Sequence, residues 1–193
     1  MQSIQTVSEN TIYVGASDRR LAKFENLFPI PRGVSYNAYV ILDEKTALLD
    51  TADASVGAQF LENVAAALDG RKLDYLIVDH MEPDHAAMIE AVLVRWPDLR
   101  LVVNAKTLPM LKMYFPTDSA AFDDALVVKE GDTLDLGKHK LTFVMAPMVH
   151  WPEVMMTFDT TTGTLFSADA FGTFGALEGA LFADEVDFAG KWL

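Results

Sequence analysis

Cysteine is missing altogether from the 193 residues. Its absence excludes disulfides, thiolate zinc sites, iron–sulfur clusters and a catalytic thiol. Imidazole and carboxylate are left as the side chains able to hold a metal tightly. Basic residues are few: Lys and Arg number 15 against 28 Asp and Glu, a formal net charge of −13. Such a surface is repelled at long range by phosphate backbones and anionic bilayers, so neither nucleic acid nor a membrane is expected as a partner. No apolar run approaches the roughly 18 residues that suggest a membrane span. The start, Met1-Gln2-Ser3-Ile4-Gln5, carries no basic region and no apolar stretch. No secretory signal is read there, and a cytoplasmic location is the default expectation. Histidine is also scarce, four residues in all, which makes the placement of each informative.

What is present reads as an ordinary soluble domain, 51% apolar and 22% charged. A chain of this length can bury roughly 70% of its unfolded surface, so its core needs no covalent staples. Thr11 to Gly15, Tyr36 to Leu42 and Thr46 to Asp50 read as strands, the last two joined as a hairpin through Asp43-Glu44-Lys45. Phe60, Leu61, Val64 and Leu68 fall at helical spacing. Leu73 to Val78 is a continuous apolar run of the buried, parallel-sheet type. Met88, Ile89, Val92, Leu93 and Trp96 predict a helix over His85 to Trp96. Leu101 to Val103 is a further strand and Thr107 to Tyr114 a further helix. Short strands follow at Ala125 to Val128, Thr133 to Leu136, Leu141 to Met145, Met155 to Phe158 and Thr164 to Phe166. A hairpin, then β-α-β-α, then a β-rich second half predicts two sheets with helices outside, a four-layer αββα sandwich.

Chemistry concentrates in Asp79-His80-Met81-Glu82-Pro83-Asp84-His85, between a buried strand and an amphipathic helix. Open α/β sheets place their sites at this carboxyl end of a strand. In extended chain, residues i and i+2 share a side, so His80 and Glu82 can meet one metal. Pro83 turns the chain, and Asp84 with His85 opens the helix toward a second. A plain helix N-terminus explains one acid by capping and the helix dipole, but not two acids with two histidines. His150, in Ala146-Pro147-Met148-Val149-His150-Trp151-Pro152, also follows a strand; a lone histidine there is a structural group or a ligand. Asp169, beyond Thr164 to Phe166, is placed as a helix cap or as a bridging carboxylate. His139, in Gly137-Lys138-His139-Lys140, reads as an exposed residue of a basic turn. Met145, Met148, Met155 and Met156 read as core filling. Thr160-Thr161-Thr162-Gly163-Thr164 looks like a phosphate loop, but a strand follows it instead of a helix, so it is read as a hairpin turn.

The pattern His-x-Glu-x-Asp-His, a distant His150 and an Asp nineteen positions on resembles the flavodiiron proteins, whose N-terminal domain is metallo-β-lactamase-like. Gly33 to Tyr39, His150-Trp151-Pro152-Glu153 and Leu165 to Gly172 match as flanks. The resemblance implies two irons: His80, Glu82 and His150 on one, Asp84 and His85 on the other, and Asp169 bridging. It implies reduction of dioxygen to water, of nitric oxide to nitrous oxide, or both. Electrons would come through flavin mononucleotide in a flavodoxin-like domain, supplied by rubredoxin or a flavin reductase, within a head-to-tail homo-oligomer. Related zinc hydrolases usually carry His where Glu82 stands, and a carboxylate favours a harder metal. A zinc hydrolase and a non-catalytic diiron oxygen sensor are the alternative readings.

Two parts of the pattern have no counterpart. No histidine follows His150 to act as the last ligand, and no flavodoxin-like sequence precedes the end at Ala189-Gly190-Lys191-Trp192-Leu193. The chain over 1–193 is therefore expected to be an incomplete domain, cut short at its C-terminal side. Its second metal position is expected to be the weaker. No bound flavin and no gas reduction by the chain alone are expected, and an exposed apolar stretch from Phe171 to Leu181 is expected to favour self-association.

Overall fold

The computed structural model describes residues 3–116 and 120–185, so the terminal Ala189 to Leu193 lies outside the described residues. In chain order the strands are β1 (Gln5–Ser8), β2 (Thr11–Tyr13), β3 (Ala16–Asp18), β4 (Lys23–Phe24), β5 (Phe28–Pro29), β6 (Val34–Tyr36), β7 (Tyr39–Leu42) and β8 (Thr46–Leu49). Helix α1 (Gly57–Leu68) precedes β9 (Tyr75–Ile77), followed by α2 (Pro83–Ala86), α3 (Ile89–Arg95), β10 (Arg100–Asn104), α4 (Thr107–Tyr114) and α5 (Ala120–Asp123). The rest is β11 (Leu126–Val128), β12 (Thr133–Asp135), β13 (Lys140–Met145), β14 (Met155–Asp159) and β15 (Thr164–Phe166).

One sheet has seven strands in the order β1-β2-β7-β8-β9-β10-β11, and the other has four in the order β12-β13-β14-β15. Strands β8 to β11 run parallel; their connections carry the helices, as parallel crossovers require. Alternation along the strands builds two cores. Val40, Leu48, Leu76, Leu101 and Val103 face Phe60, Val64, Ile89, Val92 and Leu111 of the helices. Ile41, Leu49, Ile77 and Val102 face Leu141, Phe143, Met155 and Phe166 of the second sheet. The result is the expected mixed α/β sandwich, with the helix layer and both sheets formed by the described residues.

Beyond the short β1, β3, β4, β5 and α5, which were not read from the sequence, two expected elements are split and one methionine is placed differently. The expected strand over Tyr36 to Leu42 is two, because β6 pairs with β3 and β7 with β2 and β8; between them Ala38 gives its carbonyl to the Val14 N–H at 2.9 Å. The helix expected over His85 to Trp96 is split at Met88. Thr51 takes the His85 carbonyl with both its N–H, at 2.8 Å, and its hydroxyl, at 2.6 Å, and so competes for the acceptor that would continue the helix. Met148 is exposed rather than core, whereas Met155 is fully buried. The Thr160 to Thr164 turn does join β14 to β15, with Gly163 left-handed at φ 72°.

His139 is also corrected: it is 1% exposed. Its Nδ1 meets the Asp159 carboxylate at 2.8 Å, and its backbone N–H donates to Asp43 at 2.6 Å. The flanking lysines turn outward, Lys138 to Glu9 at 2.8 Å and Lys140 to Asp135, which is what made the turn look solvated. This clasp joins the turn after β12 to the turn after β7, at the end of β14 remote from Met155. His139→Ala is expected to lower stability by about 1–3 kcal/mol, because it deprives buried Asp159 of a partner. Metal content is expected to stay unchanged. Thermal melting and metal analysis on the same preparation check both halves.

Candidate metal centre

The six candidate residues meet at one end of the sandwich, where β8, β9 and β15 finish and β13 turns into β14. Leaving β9, the chain stays extended to Glu82, whose backbone is at φ −60° and ψ 145°. Pro83 occupies the first turn of α2, where its missing N–H costs nothing. That switch from extended to helical chain aims His80 and Glu82 one way and Asp84 and His85 another. His150 arrives on the loop between β13 and β14, and Asp169 on the segment after β15. Ala168 is held left-handed at φ 47°, a strained setting for a residue with a β-carbon and one characteristic of functional loops.

Two groups result. His80, Glu82, His150 and Asp169 form one, and Asp84, His85 and Asp169 the other, with each group's ligand atoms within 4.8 Å of one another. Glu82 Oε2 lies 3.1 Å from His80 Nε2 and 2.8 Å from His150 Nε2. Asp169 divides its carboxylate. Its Oδ2 is 3.4 Å from His80 and 3.2 Å from His150, while its Oδ1 is 2.8 Å from His85. Asp84 Oδ2 completes the second group at 3.7 Å from His85 Nε2. The His80 and His85 rings stand 5.1 Å apart, and the Trp151 indole closes edge-on against His80 at 5.3 Å.

Behind the imidazoles stand two acids that the sequence reading did not single out. Glu153 Oε1 takes His80 Nδ1 at 2.8 Å and the Met81 N–H at 3.0 Å. Asp50 Oδ2 takes His85 Nδ1 at 2.9 Å, and its other oxygen accepts the Asp79 N–H at 2.7 Å. With Nδ1 engaged, each ring turns Nε2 to the interior, where loss of its proton would free the lone pair that a metal-binding histidine requires. Asp79 is a third buried acid, held by the Thr157 hydroxyl at 2.8 Å. Burial and then the neighbouring Asp50 carboxylate push its carboxyl well above the usual range. The one sequence signal for Asp50 and Asp79 was an acid ending a buried strand; for Glu153 there was only its place beside His150.

The donor set fits a pair of hard cations. Carboxylates and imidazoles converge without thiolates, and the acids lie close enough to repel one another unless positive charge stands between them. Asp84 Oδ1 is buried with no hydrogen-bond partner, an acceptor that protein groups leave unsatisfied. In the chain by itself, protons supply the missing charge. Burial works against a charged His80, but hydrogen bonds to Asp169, Glu153 and Glu82 outweigh it and push the imidazole up to about 11. His85 is raised well above its ordinary value in the same way, against burial, by Asp169 and Asp50. Asp169 is held well below the carboxylate range: burial opposes this, and the two histidines overcome it. Burial dominates at Asp84, which is raised to about 6.

These shifts carry a pH dependence. A group raised in the folded state stabilises fully below its unfolded value and loses that contribution as pH climbs to the folded one. For His80 the window runs from the ordinary 6.5 up to about 11. The metal-free chain is therefore expected to melt at progressively lower temperature between neutral and alkaline pH. Metal affinity should rise over the same window, because each incoming cation displaces the imidazole protons. Chelator-competition titrations at two pH values, beside melting curves, check this; a flat pH profile in both would contradict the proton-filled centre.

A cavity of about 430 Å³ opens onto the two groups, with Glu82, Asp84, His85, His150 and Asp169 on its floor. Phe24, Phe28, Val34 and Phe174 form much of its wall, and the Phe24 and Phe174 rings meet at 5.1 Å. Phe28 in this cavity's wall, its neighbour Leu27, Met148 and Val149 on the loop of His150, and Phe171 just after Asp169 expose apolar surface. The stretch expected to be exposed from Phe171 onward is mixed, since Ala176 is buried. Among the described residues no helix is long and apolar enough to cross a membrane.

Comparison with known proteins places this geometry. A family model described as ODP family beta lactamase matches residues 34–191. The anaerobic nitric oxide reductase flavorubredoxin of Klebsiella pneumoniae is 38% identical over 183 residues, covering 94% of this chain and 37% of that protein. The flavorubredoxin of Citrobacter koseri matches with the same identity and coverage. Among solved structures, rubredoxin oxygen:oxidoreductase of Desulfovibrio gigas superposes with a TM-score of 0.91 at 30% identity, covering 97% of this chain and 46% of that one. The flavodiiron protein of Giardia intestinalis gives 0.89 at 27% identity, covering 98% and 45%. The chain thus spans 37% of the length of these curated relatives.

Proposed function

The chain belongs to the ODP beta-lactamase family and to the flavodiiron proteins, and from this membership and the site geometry we propose that it is a diiron domain serving the reduction of dioxygen, nitric oxide or both. The observation that carries the reading is the divided carboxylate of Asp169, one oxygen on His85 and the other between His80 and His150. His80, Glu82 and His150 would hold one iron, Asp84 and His85 the other, and Asp169 both. When bound there, two irons would supply the electrons and the Lewis acidity for reducing a diatomic substrate.

The protein's own residues prepare the place for that chemistry. Glu153 and Asp50 fix the orientation of the imidazole rings before any ligand arrives, so no rotamer search is needed at loading and the Nε2 proton is the one displaced. Glu82, a carboxylate pinned between two imidazoles, biases the position toward iron over zinc. The phenylalanine-lined cavity suits a small neutral gas and disfavours charged hydrolytic substrates. Trp151, packed on His80, keeps water from the back of that ring.

Electrons would come from flavin mononucleotide on a flavodoxin-like domain, itself reduced by a donor such as rubredoxin or a flavin reductase. The exposed apolar residues Leu27, Phe28, Met148 and Phe171 beside the centre give such a domain a surface to cover. The residues matched by the family model would constitute the diiron domain. The reading is tested by loading the purified chain with ferrous iron and following dioxygen and nitric oxide consumption. Consumption should be absent with the chain alone and appear when a reduced flavodoxin-like domain is fused or added. Sustained multi-electron turnover by the chain alone, or none with either gas in the fused form, would refute it.

A further inference from the structure

Asn104 ends β10, is 5% exposed, and makes no contact with any of the six candidate ligands in its hydrogen bonding. Its side chain nevertheless joins two segments. The Oδ1 oxygen accepts the N–H groups of Lys106 at 2.8 Å and Thr107 at 3.1 Å, closing the turn that leads into α4. The Nδ2 amide donates to the carbonyl of Glu153, on the loop that also carries His150. Two residues on, Lys106 reaches the same loop, its ammonium donating to the Pro152 carbonyl at 3.0 Å. The far side of Glu153 is the carboxylate that holds His80 Nδ1 and the Met81 N–H.

We propose that Asn104 is a positioning residue for the first metal position, fixing Glu153, and through it His80, against the rigid end of β10. The amide has the two functions this needs on separate atoms: Oδ1 accepts from the turn into α4, and Nδ2 donates to a carbonyl. The backbone of the His150 loop has no partner strand of its own between β13 and β14, so this bond and the Lys106 contact anchor it to the first sheet. Buried as it is, the amide exchanges no bond with solvent, and losing the donor leaves the Glu153 carbonyl short of a partner. The His85 side of the centre is held separately, by Asp50 and by the bonds from Thr51 to the His85 carbonyl. The inference rests on the diiron reading above, and its test separates the two.

The test uses Asn104→Asp, which keeps the acceptor for the α4 turn but replaces the donor with an oxygen facing the Glu153 carbonyl. Asn104→Ser, a shorter cap that does not reach Glu153, stands in if the aspartate variant misfolds. Ferrous affinity at each position is measured by chelator competition, and the hydrogen-bonded Nδ1 proton of His80 is followed by NMR without metal. Expected is a Kd at the first position raised about 10–100-fold, the size of effect seen when an outer-shell partner is lost, with the second position unchanged and the His80 proton shifted or lost. Unchanged affinity and an unmoved proton signal, while Glu82→Ala loses metal, would overturn the role of Asn104 and leave the diiron reading standing. If the wild-type chain takes up no metal, the diiron reading fails and the proton signal alone decides: shifted supports the positioning role, unmoved overturns it. Equal weakening of both positions would also overturn it, as the mark of a merely structural residue.

Discussion

Asp169→Ala is expected to empty both metal positions of the chain. Among the described residues every other candidate ligand falls in one group, but Asp169 falls in both, Oδ1 facing His85 and Oδ2 facing His80 and His150. Among the described residues the second group then keeps Asp84 and His85, too few for a stable iron site. The first keeps His80, Glu82 and His150, the last of which is half exposed on its loop. The loss should exceed the roughly 10–100-fold cost of an outer-shell change. Asp169→Asn, which keeps the shape and loses the charge, should reproduce most of it. Metal analysis of both variants beside Glu82→Ala separates the shared ligand from a one-sided one: Glu82→Ala should spare the second position. Retention of either metal at wild-type affinity in Asp169→Ala would remove the bridging role.

Glu153→Gln and Asp50→Asn are expected to weaken opposite halves of the centre. Each acid fixes one imidazole from behind, Glu153 at His80 and Asp50 at His85. An amide of the same shape can turn its NH₂ toward Nδ1 and so favour the wrong tautomer, taking the lone pair away from the interior. Affinity should fall about 10–100-fold at the first position in Glu153→Gln and at the second in Asp50→Asn. Position-resolved titrations check the split; the same profile in both variants would show that the two acids support the fold rather than particular rings. In the metal-free chain both variants should also lower the corresponding imidazole, since each acid contributes to holding it above its ordinary value.

Four of the six candidate ligands stood out in the sequence because their pattern is local, whereas His150 and Asp169 entered through the family resemblance. His80, Glu82, Asp84 and His85 lie within six residues, and the extended-to-helical switch at Pro83 sorts them into two directions. The strands and helices were legible too, since alternation and helical spacing are short-range signals. The supports were not legible, because a carboxylate's partner is set by the fold. Glu153 lies 73 residues from His80, and Asp50 lies 35 from His85. His139 was misread for the same reason: its neighbours in sequence are lysines, but its neighbour in space is Asp159, on the next strand. The break at Met88 likewise depends on Thr51, a distant residue that claims the His85 carbonyl.

The two halves of the centre are unequally equipped, and the inequality is what a direct measurement can reach. Among the described residues His80, Glu82, His150 and Asp169 make a four-residue set, whereas Asp84, His85 and the shared Asp169 make three. The decisive measurement is an iron count per chain after anaerobic loading and dialysis against a mild chelator. The expected result is one iron retained at the His150 side, with the second released. Two irons held with equal tightness would contradict the inequality, and no iron retained at all would contradict the metal centre itself.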